Sequence, residues 1–253
     1  MATVDLNSDL GEGFGAYACG DDAAMLAIVT SANIACGFHA GDPDVMATTF
    51  ATAKAAGVSA GAHPGYADLQ GFGRRRIPLT SREIEHLVAY QVGAAAGMAA
   101  LAGHRISHVK VHGALANVAA ADRSVADAVA RAVKAVDPDL AFLAIACSEQ
   151  VAAGEAAGLR TVSEIYADRG YAEDGQLAPR GTPGAVITDP EAAAARTLAM
   201  IAAGAVITLS GQHLPVRIES VCVHGDNPHA VAAARLLRER LTTAGLTLAP
   251  FAR

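Results

Sequence analysis

Short apolar runs recur along this chain, and most end in a polar cluster holding Gly beside His, Asp, Glu, Lys or Arg. The runs lie at residues 4–9, 32–36, 58–63, 107–112, 140–146, 161–166 and 220–224. Their length and the turn residues that bound them predict buried strands. Helical segments are predicted between them, at 22–29, 43–56, 80–101, 122–135, 148–157, 189–202 and 228–244. Asp42 before Pro43 is a helix N-cap, and Gly57 is the matching stop. Thr80 and Glu83 have capping-box spacing, and Asp189-Pro190 starts a further helix. Residues 205–218 fit a short strand or a hairpin. Strands alternating with helices of this length indicate βαβ units and a parallel sheet. About seven units predict a (β/α)7 barrel-like architecture, with residues 1–253 forming one domain.

Parity along the strands sharpens this picture. Side chains alternate between the two faces of a strand. Asp5, Asn7 and Asp9 therefore share one face, opposite Val4 and Leu6. His108, Lys110 and His112 share another, opposite Val109 and Val111, and Cys222 and His224 oppose Val221 and Val223. An open sheet covered by helices on both sides would be apolar on both faces. A polar face on several parallel strands instead lines a barrel interior. The clusters then meet at one barrel mouth, where such folds place their sites.

Over half of the 253 residues are apolar, Ala prominent among them, which suits closely packed helices and a large core. Net charge is −6, and the longest basic run is Arg74-Arg75-Arg76, so nucleic acid is not an expected partner. The start of the chain has neither a basic nor an apolar leader segment, and no uninterrupted apolar run reaches membrane-spanning length. Four scattered cysteines show no CxxC spacing, so the expected location is the reducing cytoplasm. The Ala-rich helical surface would tolerate a homodimer. GxxxxGK[ST], GxGxxG and GxSxG are all absent, so neither a phosphate loop nor a serine-nucleophile elbow is expected.

The candidate residues lie at the strand ends. Asp9 and Glu12 follow the first strand as a general base with its partner, or as cation ligands. Asn7 stands behind them. His39 and His63 occupy equivalent places after the second and third strands, which suits acid–base work or metal ligation. Lys110 is one of only three lysines and sits between two valines, so an inward ammonium there needs an anion. His112 lies two residues on. Glu164, Asp168 and Arg169 close the sixth strand, where Arg169 could hold a carboxylate or phosphate, or an internal carboxylate. His224 ends the last strand, with His229 nearby, and Asp226 before Asn227-Pro228 reads as a helix cap. The spacing leaves open whether a metal is bound. Two loops, 65–78 and 167–183, are long and rich in Gly and charge, as binding loops or mobile excursions are.

Seven ordered motifs carry a resemblance to a known family: VDLNSDLGEGFG, SANIACGFHAGDP, GAHPGYADLQGFGRR, HVKVHGALAN, EIYADRGY, LAPRGTPGAVI and VCVHGDNP. Together they resemble the LamB/YcsF family over nearly the whole chain. The resemblance implies a seven-stranded β/α barrel of the glycoside hydrolase/deacetylase type. It implies ATP-dependent hydrolytic opening of 5-oxo-L-proline (pyroglutamate) to L-glutamate, a cyclic-amide hydrolysis. It also implies two partner proteins, PxpB and PxpC, that handle phosphorylation of the lactam, with ATP bound at the level of the complex. On that chemistry, Asp9 backed by Glu12 activates water. Lys110 and Arg169 hold the substrate carboxylate or the phosphate. His39, His63 and His112 donate protons or stabilise the tetrahedral oxygen. Asn7, Glu164, Asp168 and His224 complete the substrate site. Two rival readings stand beside it: a stand-alone metal-dependent amidohydrolase or deacetylase with Asp9, His39 and His63 as ligands of a divalent metal, and a non-catalytic subunit that carries substrate to the partners.

Overall fold

The computed structural model describes residues 2–225 and 228–252. The first half of the chain runs β1 (Thr3–Leu10), α1 (Asp22–Leu26), β2 (Ser31–Ala35), α2 (Pro43–Ala55), β3 (Ser59–His63), α3 (Ser81–Leu101), β4 (Ile106–Val109), α4 (Gly113–Ala121) and α5 (Arg123–Val136). The second half runs β5 (Ala141–Ile145), α6 (Glu149–Ala156), β6 (Thr161–Tyr166), α7 (Pro190–Ala203), β7 (Ala205–Ile207), β8 (His213–Pro215), β9 (Ser220–Val223), α8 (Pro228–Thr243) and β10 (Thr247–Leu248). Among the described residues, seven parallel strands close in the order β1, β2, β3, β4, β5, β6, β9 and back to β1. The expected seven-stranded barrel is therefore present. β10 extends the ring below β9, pairing Thr247 with Thr3. The segment read as a strand or hairpin is the antiparallel pair β7–β8, set beside the barrel.

Three local expectations are corrected. The strand expected at 107–112 ends at Val109. Residues 110–112 nevertheless run on beside β3, because Lys110 N–H donates to the Ala62 carbonyl at 3.0 Å and His112 N–H to Pro64 at 2.8 Å. The alternation of faces thus survives past the end of the ladder. α4 is an addition to the expected helices; its N-cap His112 makes no side-chain capping bond. The first helix stops at Leu26, three residues short. Asp42, Asp189 and the Thr80–Glu83 box cap α2, α7 and α3 as their sequences predict. The cap assigned to Asp226 lies outside the described residues.

The outer strand faces carry Leu6, Ile34, Ala60, Val109, Phe142, Ile165 and Val221, all fully buried beneath the helices. Each large one contributes about 1.5–3 kcal/mol on burial. α5 buries Ala126, Ala128, Ala130 and Ala132 among its valines, so small side chains face its neighbours. The inner face has its own small apolar base. Ala141, Leu143 and Val162 pack there against Phe251 and Ala252 from the C-terminal segment. Phe251 meets His108 edge to face at 5.0 Å, and Ser59 Oγ donates to the Ala252 carbonyl at 2.7 Å. Gly61, on the inner face of β3, makes room for that His108 ring. A Cβ at residue 61 would stand 2.4 Å from His108 Cδ2. No helix among the described residues is long and apolar enough to cross a membrane.

Candidate active site

The polar side chains predicted to point inward form layers up the barrel. In the lowest, Asp5 accepts hydroxyl hydrogens from Thr30 and Ser31, each at 2.6 Å, and from Ser220. Burial pushes its carboxyl up to about 6 against those bonds. Above it, Asn7 Oδ1 accepts from Asn33 Nδ2 at 2.8 Å and from Lys110 Nζ at 3.2 Å. Asn7 Nδ2 donates to Ser220 Oγ and Glu164 Oε2.

Lys110 joins this layer to the next. Its ammonium lies 3.1 Å from Asp9 Oδ1, 3.2 Å from Glu164 Oε2 and 3.1 Å from Cys222 Sγ, over the Tyr166 ring. Burial alone would favour the neutral amine. The flanking carboxylates, Asp9 foremost, outweigh it and hold the pKa well above its ordinary value. The anion expected beside Lys110 is thus a pair of protein carboxylates. The ammonium is almost wholly enclosed and is not part of the cavity wall.

Asp9 stands at the top of this column, partly exposed to the mouth. Its Oδ1 is taken by Lys110 and by Asn33 Nδ2 at 2.8 Å. Its Oδ2 faces His63 Nε2 at 3.2 Å. Burial opposes ionisation, yet His63 and Lys110 prevail and keep the carboxyl well below the usual carboxylate range.

Beside Asp9, three imidazoles and a carboxyl form a box. His63 Nδ1 lies 2.7 Å from the Lys110 carbonyl, and His112 Nε2 lies 2.9 Å from the Phe72 carbonyl. A carbonyl only accepts, so each of those nitrogens carries its proton. The remaining nitrogens, His63 Nε2 and His112 Nδ1, then face each other at 3.0 Å. His39 stacks on His112 with ring centroids 3.7 Å apart. It is fully buried, and neither of its nitrogens has a hydrogen-bond partner. Glu12 Oε1 lies 3.7 Å from His112 Nδ1 and 3.8 Å from His39 Nε2. Burial, then the Asp9 charge, push Glu12 up to about 7. Burial, then the neighbouring imidazoles, push His112 down to about 2, and burial and His63 hold His39 well below its ordinary value. Gly73 is what lets the loop close over this box: a Cβ there would lie 2.7 Å from His39 Cβ and 2.8 Å from His112 Cδ2.

Known proteins resemble this chain over almost its whole length. The model of the LamB/YcsF family matches residues 4–253. The chain belongs to the LamB/YcsF family. It is 61% identical to a protein from Azorhizobium caulinodans named as a subunit of 5-oxoprolinase, with 100% of both chains covered. It is 56% identical to a Rhodopseudomonas palustris protein of the same name, again over 100% of both. A crystal structure of a lactam utilization protein from Thermus thermophilus superposes with a TM-score of 0.93 at 45% identity, covering 98% of this chain and 100% of that one.

In this LamB/YcsF chain a cavity of about 460 Å³ lies above Asp9, a volume suited to a small molecule. Asp9, His63, His112, Arg169 and His224 line it, whereas Asn7 and Glu164 lie beneath it. Arg169 is half-committed: Nε donates to the Ala185 carbonyl and Nη2 to Ala178, which staples the loop after β6. Asp168 is 2.9 Å from His224 Nδ1. Burial works against the His224 cation, but Asp168 prevails and raises its pKa. His229 lies away from the strand end, exposed in the first turn of α8. Asn33, Tyr166, Arg74 and Arg180 join the site without having been marked by the sequence. Asn33 shares the parity of Asn7 on the next strand, so the same alternation marks it. Arg74 and Arg180 come from the two long loops, whose paths follow from tertiary bonds such as Asp68 to Arg75 and Arg169 to its carbonyls. The first of those loops is held rather than loose. Gln91 bonds both sides of Gly65, and Ala114 N–H reaches Gly73.

The Asp168–His224 pair gives a signed expectation. A raised His pKa contributes stability that is present below the ordinary His value and is lost as pH rises through the folded one. A lowered Asp pKa contributes above the ordinary Asp value and is lost as pH falls through the folded one; Asp168 is lowered in this way by His224, against its burial. The pair therefore stabilises between those two folded values. Asp168→Asn should lower the His224 pKa, since burial then meets less opposition, as a histidine NMR titration would read.

Proposed function

We propose that this chain is the barrel component of an ATP-dependent 5-oxoprolinase that opens 5-oxo-L-proline to L-glutamate together with PxpB and PxpC. One observation carries the reading: a carboxylate kept ionised by His63 and a buried lysine faces a small-molecule cavity in a chain 61% identical to a protein named for that activity. The names of its relatives support the substrate, and the site supports the chemistry.

A lactam carbonyl is a poor electrophile because nitrogen donates into it. Transfer of the ATP γ-phosphoryl group to the lactam oxygen, with the partners, gives an activated C=N carbon. Water then adds at that carbon, the C–N bond breaks as nitrogen takes a proton to leave an acyl phosphate, and a second water releases phosphate and L-glutamate. Asp9 Oδ2 is placed to orient and deprotonate the water. Its low pKa makes it a mild base, which an activated carbon tolerates. His224, kept cationic by Asp168, is placed to protonate the departing nitrogen. Two groups whose surroundings push their pKa values apart are the usual mark of such a division of labour. Arg169, Arg74 and Arg180 give the cavity wall a positive side for the substrate carboxylate or the phosphate. Lys110 acts one layer down, by holding Asp9 charged and in place.

The test is glutamate release from 5-oxoproline and ATP, with and without PxpB and PxpC. Release that requires ATP and all three chains is the expected result. Hydrolysis by this chain alone without ATP would replace the reading with the stand-alone amidohydrolase.

A further inference from the structure

The box of Glu12, His63 and His112 holds an arrangement that the proposed lactam chemistry does not use. Two buried imidazoles have their tautomers fixed by backbone carbonyls, His63 through Lys110 and His112 through Phe72. Their other nitrogens face each other 3.0 Å apart, and His63 Nε2 also faces Asp9 Oδ2 at 3.2 Å. Two lone pairs at that distance repel unless a positive charge sits between them. Glu12 Oε1 closes the third side at 3.7 Å from His112 Nδ1. Ligands bound at about 2.0–2.2 Å around one ion stand about 3.0–3.5 Å from each other. Two of the observed separations, 3.0 and 3.7 Å, sit at or just outside that range, and all three ligand atoms lie within 4.8 Å of one another, so Glu12 has to draw in toward His63 to complete the set. The carbonyls behind the two rings are the partners that orient metal-bound histidines.

His39 adds an independent sign. It is fully enclosed, both its nitrogens are orphaned, and Nε2 points at the same carboxylate oxygen. Its ring lies parallel to His112 within 6°. An imidazole lone pair lies in the ring plane, so two stacked rings do not both aim at one ion between them. His39 is then the wall of an open position rather than a ligand, and its Nε2 serves whatever occupies that position.

We infer that Glu12, His63 and His112 form a binding site for one transition-metal dication of the zinc, cobalt or manganese class, with an open position toward His39. Two nitrogens and one carboxylate oxygen favour these ions over magnesium or calcium, which take oxygen sets. Three protein ligands and an open position are the pattern of a reactive site rather than a structural one. The ligand set differs from the one read from sequence. Asp9 is set aside because it falls outside the group of ligand atoms that lie within 4.8 Å of one another, and His39 because of its stacking. The inference rests on geometry alone and stands whether or not the substrate is a lactam.

The test is titration of the chelator-treated full chain with Co²⁺, read by visible absorption and by calorimetry without substrate, ATP or partners. One equivalent per chain with ligand-field bands is expected. Glu12→Gln and His112→Ala should weaken it by about 100-fold or more. His104→Ala, outside the box, should leave it unchanged. Circular dichroism checks that each variant is folded, and the near-isosteric Glu12→Gln keeps the test open if His112→Ala is not. Absence of a bound equivalent in the wild type would overturn the site, as would equal affinity in folded Glu12→Gln. So would a proton shared by His63 and His112, seen by ¹⁵N NMR, that persists when Co²⁺ is added. Because no turnover is read, failure here leaves the 5-oxoprolinase reading untouched, and failure of the glutamate assay leaves this one.

Discussion

Lys110→Met is expected to lower folding stability by about 3–5 kcal/mol, the cost of leaving a buried charge without its partner. For a chain of this size that is a fall in Tm of roughly 10 °C, readable by calorimetry. The reason is the position of the ammonium. It lies between Asp9 and Glu164, and it also satisfies Asn7 Oδ1. Methionine is unbranched and only one atom shorter, but it removes every one of those bonds. Two carboxylates then face each other across the barrel, and Asp9 loses a group that keeps it ionised. The second half of the expectation follows: the pKa of Asp9 rises in the variant. Adding Glu164→Gln should restore part of the lost stability, because it removes one of the stranded charges. A double variant no more stable than Lys110→Met would mean that the lysine acts by packing alone.

Asp9→Asn is expected to cut coupled glutamate formation by about 100-fold or more while leaving the fold intact. Asparagine keeps the shape and can still accept from Lys110 and Asn33 through its oxygen. What it loses is the charge on the oxygen that faces His63 and the cavity. The assay requires the partner chains and ATP, so binding and chemistry are separated by measuring KM and kcat. A fall in kcat with KM little changed marks a group that acts in the transition state. Turnover close to wild type would instead favour the reading of this chain as a substrate carrier.

The barrel was legible because its inner face is polar. In β1, Asp5, Asn7 and Asp9 alternate with apolar neighbours, and the same alternation runs through 108–112. That pattern places Lys110 on the inner face even though its ladder ends one residue earlier. β5 carries no such signal, since both its faces are apolar: Phe142 packs under the helices, while Leu143 packs over Phe251 inside. α4 escapes notice because Ala-rich sequence without a side-chain cap carries no start signal. The loop-borne Arg74 and Arg180 escape for a different reason. Their positions depend on bonds made by distant residues, and no local pattern records those. Even where a residue stands out, its task is harder to read than its place. Rarity and a strand position say that Lys110 needs an anion; only the geometry shows that the anions are Asp9 and Glu164.

The pairing of β1 bears on how the molecule is made. β1 is made before two of its partners, β9 and β10, which lie far along the sequence. Asp5 waits for Ser220, and Asn7 for Glu164 and Ser220, before their polar groups are matched. Until then a nascent β1 and β2 form an open ribbon with polar groups on the side that must later be enclosed. Contacts across so many residues are slow to form, and the exposed edge meanwhile invites pairing with other chains. Ring closure is thus a late step in folding, since β1 stays an open edge until β9 is made and reaches it.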